Sequence, residues 1–431
     1  MKRPVGRRGA ILFSLLVLTL PSTSLATVRH VPAEYPAIQA AVNASSVGDT
    51  ILVAPGTYFE NVVIDRRVAL VSEAGAEVTT IDGRNLGSVV FVQQQVDHAA
   101  IDGFRVTHGR TVAYAGGIEV RIGSSIGGYA TIRRNIVEYN NSIGGPGGIS
   151  SGRHSIIEDN IIQYNNGPKG FSAMEASGTI ERNVIRGNEM GLYNVLVNYT
   201  DTFAWNIVVD NRTGRNEVVF IGGGSIHHNT FNADWFYPAV ELWSGSPYDF
   251  HNNLIVHGMA GGLDCHLDNG SHTIGCNDVW GEGKSYLGDC ADLEGSDGNF
   301  SADPLFCDAS NGDYRLSIDS PCAAPAGCGL IGALDVGCGI LTVNESATAA
   351  MPRLVFAPNP VWAGGGAYLT GVNQGNLVDI YDIDGRVVDI IGPVLSSPFQ
   401  WYPDRQLPSG VYFARTRGSS SPTTARFVLV R

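Results

Sequence analysis

Residues 130–140 read ATIRRNIVEYN, and the phrase returns as SIIEDNIIQYN (155–165), GTIERNVIRGN (178–188), DTFAWNIVVDN (201–211), GSIHHNTFNAD (224–234), YDFHNNLIVHG (248–258) and HTIGCNDVWGE (272–282). One asparagine recurs as Asn135, Asn160, Asn183, Asn206, Asn229, Asn253 and Asn277, at steps of 25, 23, 23, 23, 24 and 24 residues. Three residues before each stands a large apolar side chain, from Ile132 to Ile274. Two residues after each stands another, from Val137 to Val279. A second polar column follows as Asn140, Asn165, Asn188 and Asn211, then Asp234, Gly258 and Glu282. A fixed period of this length is the signature of a solenoid.

Two coils have a period near 23, the leucine-rich repeat and the parallel β-helix. The leucine pattern is missing, and the Ile, Val and Phe of the apolar columns suit strands. No coil contains a helix-length run of 3.6-period apolar residues. The chain therefore reads as all-β, a parallel β-helix of about ten coils. Stacked strands lie ~4.8 Å apart, so each repeated position becomes a column of like side chains. An asparagine amide both donates and accepts, so one rung can bond the next. Asparagine also tolerates the left-handed conformation of a corner. The seven asparagines are accordingly read as a structural ladder without chemistry.

Residues 1–26 read as a secretory signal peptide: Lys2, Arg3, Arg7 and Arg8, an apolar run from Ile11 to Leu20, and Ser24-Leu25-Ala26 as the cleavage site. The run is too short to span a bilayer comfortably, so the expectation is an exported protein that is not transmembrane. The formal charge is -13, and loss of the leader makes it four units more negative. Such a surface repels nucleic acid and anionic lipid.

Residues 27–340 carry the solenoid. Tyr35 to Val42 reads as a short amphipathic helix capping the first coil, whose strand edges would otherwise be open. The stretch YPAIQAAVNASSVGDTILVAPGTYFENVVI (35–64), with LVSEAGAEVTTIDG (70–83), resembles the opening of secreted right-handed parallel β-helix proteins with the pectin lyase-like fold. The segment from Asn299 to Cys338 resembles that family's closing segment. The family holds hydrolases, lyases, esterases and non-enzymes, so the resemblance implies a right-handed coil and leaves activity open.

Every cysteine lies between Cys265 and Cys338: Cys265, Cys276, Cys290, Cys307, Cys322, Cys328 and Cys338. In an exported chain this implies disulfides at the end of the solenoid, with at least one thiol left over and the pairing open. Residues 341–352 read as a linker. Residues 353–431 alternate as strands, with Asp384-Gly385 as a hairpin turn. This unit is similar to the C-terminal sorting domain of type IX secretion and to the related flagellar-hook-capping Ig-like module. The resemblance implies a small β-sandwich that engages the secretion machinery, and delivery through the periplasm of a Gram-negative-type bacterium to the surface or the medium. A monomer is expected.

Chemistry in a coil of this kind belongs on outward-facing strand positions. Ile118, Ile149, Phe171, Leu192, Val218, Val240 and Leu263 are taken as inward. The outward column is then Glu119, Ser150, Ser172, Tyr193, Val219, Glu241 and Asp264, and the next is Arg121, Gly152, Met174, Val195, Ile221, Trp243 and His266. Glu241 and Asp264 fall on successive rungs beside Trp243 and His266. Two carboxylates near ~5 Å suit paired acid catalysis or Ca²⁺. The candidates are Glu241 and Asp264 for catalysis and Tyr193, Trp243 and His266 for a sugar, weighed against an ordinary solvated polar face. No resident cofactor is expected beyond that Ca²⁺. A second group, His227, His228 and His251 beside Trp205, has no nearby carboxylate and reads as exposed polar residues rather than a metal site. The leading expectation is an exported solenoid that binds or presents to polysaccharide, and the alternative is a polysaccharide hydrolase or lyase.

Overall fold

The computed structural model describes residues 26–121, 128–191, 193–213, 218–233, 237–243, 247–268 and 270–339 of the solenoid. In the C-terminal part it describes 354–357, 361–362, 367–370, 372, 376–382, 386–392, 394, 399–403, 407–417 and 424–430. Residues 1–25 of the expected leader, the expected linker at 341–352 and the expected turn at Asp384-Gly385 lie outside the described residues. The chain divides into two compact units, Met1–Leu341 and Thr342–Arg431.

The first unit is a parallel β-solenoid of about 13 turns, against the ten expected. The N-terminal coils carry no asparagine to mark them. There Val28 pairs with Thr50, Thr50 with Ala69 and Ala69 with Ala100 in one parallel register. A full turn contributes to three faces. The first face stacks Ile132, Ile157, Ile180, Phe203, Ile226 and Phe250 inward. The second is a ten-stranded sheet stacking Val137, Ile162, Ile185, Val208, Phe231 and Ile255. All twelve of these side chains are fully buried. Burying each contributes roughly 1.5–3 kcal/mol, which is why the columns fix the register.

The third face carries the candidate site, and here the register departs from expectation. Ile149 pairs with Met174, Met174 with Val195 and Val195 with Val218. Met174 and Val195 are thus inward, and both are fully buried. Phe171 instead pairs with Tyr193, and Leu192 lies outside the described residues. The strands Phe171–Glu181 and Tyr193–Ala204 run unbroken from the third face into the first, and a register shift between Phe171 and Met174 takes the residue after the glycine out of the third-face column.

Two asparagine ladders line the corners. In the first, each Nδ2 donates to Oδ1 of the next rung, from Asn135 to Asn160 (3.1 Å), to Asn183 (2.9 Å), to Asn206 (3.0 Å), to Asn229 (3.1 Å), to Asn253 (2.9 Å) and to Asn277 (3.2 Å). It continues one rung beyond the repeat, to Asn299 (3.0 Å). The second joins Asn140, Asn165, Asn188 and Asn211 at 3.0 Å per step. Gly258 and Glu282 do not extend it, having no side-chain amide, and Asp234 lies outside the described residues. The left-handed residue of each corner is the one before the asparagine: Arg134, Asp159, Arg182, Trp205, His228, Asn252 and Cys276 have φ of 53–58°. The asparagine itself points inward, because its amide must reach the carbonyl oxygens of the coil interior.

The cap helix spans Ile38–Ala44, starting later than the sequence implied, and buries Ile38, Ala41 and Val42. Its first amides are satisfied from another coil, by Glu60 Oε1 on Ile38 N–H and Oε2 on Gln39 N–H, both at 2.8 Å. At the other end three disulfides join Cys265–Cys290, Cys276–Cys328 and Cys307–Cys338, leaving Cys322 free and buried. The closing segment returns along the outside of the second face. Gly332 N–H donates to Asn252 O (2.9 Å) and Ala333 N–H to Thr230 Oγ1 (2.9 Å), while Asn252 Nδ2 donates to the carbonyls of Cys328 (2.7 Å) and Leu330 (2.8 Å).

The second unit holds a three-stranded antiparallel sheet and a five-stranded sheet around its own core of Val361, Leu369, Ile380, Trp401, Tyr412 and Phe427. No described helix is long and apolar enough to cross a membrane.

Candidate functional site

The strands Val240–Trp243 (VELW) and Leu263–His266 (LDCH) alternate apolar and polar residues. Period-two patterning turns Val240, Leu242, Leu263 and Cys265 into the core and the remaining four residues outward. The strands pair in parallel with Glu241 opposite Asp264 and Trp243 opposite His266. The four side chains thus share one outer surface. Val219 and Leu287 flank the carboxylates on the neighbouring rungs.

Within this square the contacts are specific. Trp243 Nε1–H donates to Glu241 Oε2 at 2.9 Å. The Trp243 and His266 rings stack with centroids 4.4 Å apart and planes 29° from parallel. His266 Nε2 lies 3.3 Å from Asp264 Oδ2. The indole is 44% exposed, yet His266 takes one of its faces, so at most one face is open to a sugar. Among the described residues, Glu241, Asp264 and His266 alone bring three potential ligand atoms within 4.8 Å of one another.

The scaffold beneath is anchored on both strands. Cys265, between Asp264 and His266, is fully buried and bonded to Cys290. The buried Tyr248 hydroxyl donates to Trp243 O at 2.6 Å, with Phe220 O at 3.0 Å; burial pushes this phenol up to about 12. Gly288 gives Asp264 its room, since its φ is 58° and a Cβ there would sit 2.7 Å from the carboxylate.

Tyr193 does not join the square. It pairs with Phe171 and stacks on that ring at 5.9 Å, and the third-face column passes through Leu196 instead. The corrected column brings in a residue the sequence reading missed: Glu119, Ser150 and Glu175 stand on three successive rungs, placing the two carboxyls ~10 Å apart. Burial raises both above the usual carboxylate range. Glu119 is only 6% exposed and accepts Ala115 N–H at 2.8 Å, so the turn before its strand covers it. Counting from Asn140 and Asn165 rather than from the glycines finds Glu175, because Ile149 and Met174 each lie nine residues after their asparagine.

The histidine group forms on the first face. His228 stacks on Trp205 at 4.2 Å, His227 on His251 at 5.1 Å, and the two Nδ1 atoms of His227 and His228 lie 3.0 Å apart. Burial, and then the neighbouring imidazoles, push His228 down to about 4, and burial lowers His227 likewise. Rings kept neutral in this way serve as packing.

Compared with known proteins, the chain matches no protein-family model, no curated protein and no solved structure.

Proposed function

We propose that this is an exported right-handed β-helix of the pectin lyase-like kind, displayed at the cell surface or released, which binds polysaccharide along the outward column of its third face. The observation that carries this reading is the square of Glu241, Trp243, Asp264 and His266 on adjacent rungs. A partly open indole beside two oriented carboxylates offers a sugar both an apolar face and hydroxyl acceptors. The long parallel column suits an extended chain better than a small molecule. The three disulfides fit an oxidising compartment. The C-terminal unit is assigned to delivery, as a sorting domain.

The test is a polysaccharide panel scored for retention, for new reducing ends and for unsaturated products. Retention without products supports binding, and Trp243→Ala should weaken it roughly tenfold, about 1.4 kcal/mol. Retention of every glycan undiminished by that substitution would remove the reading. A second reading, hydrolysis by the Glu241 and Asp264 pair, is favoured by the closeness of their carboxylate oxygens, a spacing that suits a retaining pair. New reducing ends abolished by Glu241→Gln would establish it.

A further inference from the structure

We propose that Glu241, Asp264 and His266 bind one divalent first-row transition ion, of the Zn²⁺ class, on the outer surface of the third face. The geometry is close to what such an ion needs. Bonds of about 2.0 Å in a tetrahedron set neighbouring ligand atoms about 3.3 Å apart. Asp264 Oδ2 and His266 Nε2 already stand at 3.3 Å, and a Glu241 oxygen lies within 4.8 Å of both, a carboxylate rotation from closing the site.

Trp243 orients two of the three ligands at once. It donates to Glu241 Oε2 at 2.9 Å, leaving Oε1 for an ion, and its ring holds the His266 imidazole flat at 4.4 Å. Such outer partners raise affinity by fixing ligands before the ion arrives. The Cys265–Cys290 bond holds the strand between Asp264 and His266 in place. The side chains of His266 and Asp264 are 40% and 19% exposed, so an ion can enter from solvent and keep open positions for water or a bound group.

The donor set selects the metal class. Ca²⁺ takes six to eight oxygens, and this site presents two carboxylates. An imidazole suits Zn²⁺ and its neighbours, and three protein ligands with an open position is the arrangement of a zinc that is not purely structural. The Ca²⁺ expected from the carboxylates alone is therefore replaced by an ion that uses His266. The proposal does not depend on the glycan reading, because it is tested with metal alone.

The full chain, stripped by chelation, is titrated by calorimetry with Zn²⁺, Co²⁺ and Ca²⁺ separately. One Zn²⁺ per chain is expected, undisturbed by excess Ca²⁺. His266→Gln and Asp264→Asn should each weaken it by about 100-fold or more, while His228→Gln leaves it unchanged. Co²⁺ should quench tryptophan fluorescence. In Trp243→Phe that quench should largely vanish, although calorimetry still reports binding within about 100-fold. Thermal melting shows that each variant is folded, as partly exposed positions allow. The proposal is overturned if Zn²⁺ does not bind, if Ca²⁺ binds more tightly, or if binding survives His266→Gln and fails in His228→Gln.

Discussion

The thiol of Cys322 donates to Oδ2 of Asp278 across 2.9 Å, in a place where both residues are wholly buried. Asp278 stands on the outer side of the second face, since its neighbour Val279 points into the solenoid. The returning segment covers it, with Ala302 N–H bonded to Oδ1 at 3.0 Å. Neither partner is a cation, so desolvation prevails and the carboxyl is pushed up to about 6.

In the unfolded chain this group titrates near 3.9. Its stabilising contribution is therefore complete below about pH 4 and lost as the pH rises through about 6, because the fold must then hold a buried charge. Asp278→Asn removes that titration. At pH 7.5 the variant should resist denaturant better than the parent by up to ~3 kcal/mol. Identical pH profiles for variant and parent would show that Asp278 is already solvated.

The histidine group works in the opposite direction. His228 is held down to about 4 against about 6.5 unfolded, so the unfolded chain binds more protons between those values and stability falls as the pH drops through that window. His228→Gln should flatten the acid limb of a melting-temperature profile. In Asp278→Asn the acid limb should steepen, the opposing carboxyl having been removed. A His228→Gln profile that follows the parent down to pH 4 would contradict the assignment.

The ladder is tested at its middle. Asn183 Oδ1 accepts both the backbone N–H and the Nδ2 of Asn160 (3.0 and 2.9 Å), and its Nδ2 donates to Ile157 O (2.8 Å). Asn183→Leu orphans these groups in the core. At ~1–3 kcal/mol for each unsatisfied buried group, the loss should exceed about 3 kcal/mol, read as a lower denaturation midpoint. A midpoint within error of the parent would mean that the ladder bonds contribute nothing net.

Ending the chain after Leu341 should leave the solenoid's melting transition in place. The two units have separate cores, one running from Val31 to Cys290 and the other from Leu354 to Leu429. Loss of the cooperative transition on truncation, followed by circular dichroism, would show that the solenoid needs the second unit to fold.

The coil was legible because its period is written in Ile, Val, Phe and Asn at fixed offsets, and each apolar residue three before or two after an asparagine from Asn135 to Asn277 is buried as the columns require. The pairing of Glu241 with Asp264 was legible for the same reason, two alternating strands 23 residues apart. Tyr193 was misplaced because a register shift between Phe171 and Met174 sets the third-face column three residues further along, at Leu196. The path of the closing segment over Thr230, Asn252 and Asp278 was not legible at all. It follows no period, and its contacts reach back 24 to 104 residues along the chain. The disulfide partners were hidden as well: Cys276–Cys328 crosses that fold-back, while Cys265–Cys290 joins neighbouring coils and Cys307–Cys338 lies within the closing segment.

The corners divide labour between two adjacent residues. The asparagine secures the bend from within, so the left-handed residue before it answers to no packing partner in the core. Arginine, aspartate, tryptophan, histidine, asparagine and cysteine all occupy that position. From Arg134 to His228, before Asn252 and Cys276 are taken up in holding the closing segment, the solenoid therefore carries a row of sockets at a pitch of ~4.8 Å, in which side chains are exchangeable without rewriting the frame. A linear ligand of matching repeat can be met by editing that row alone.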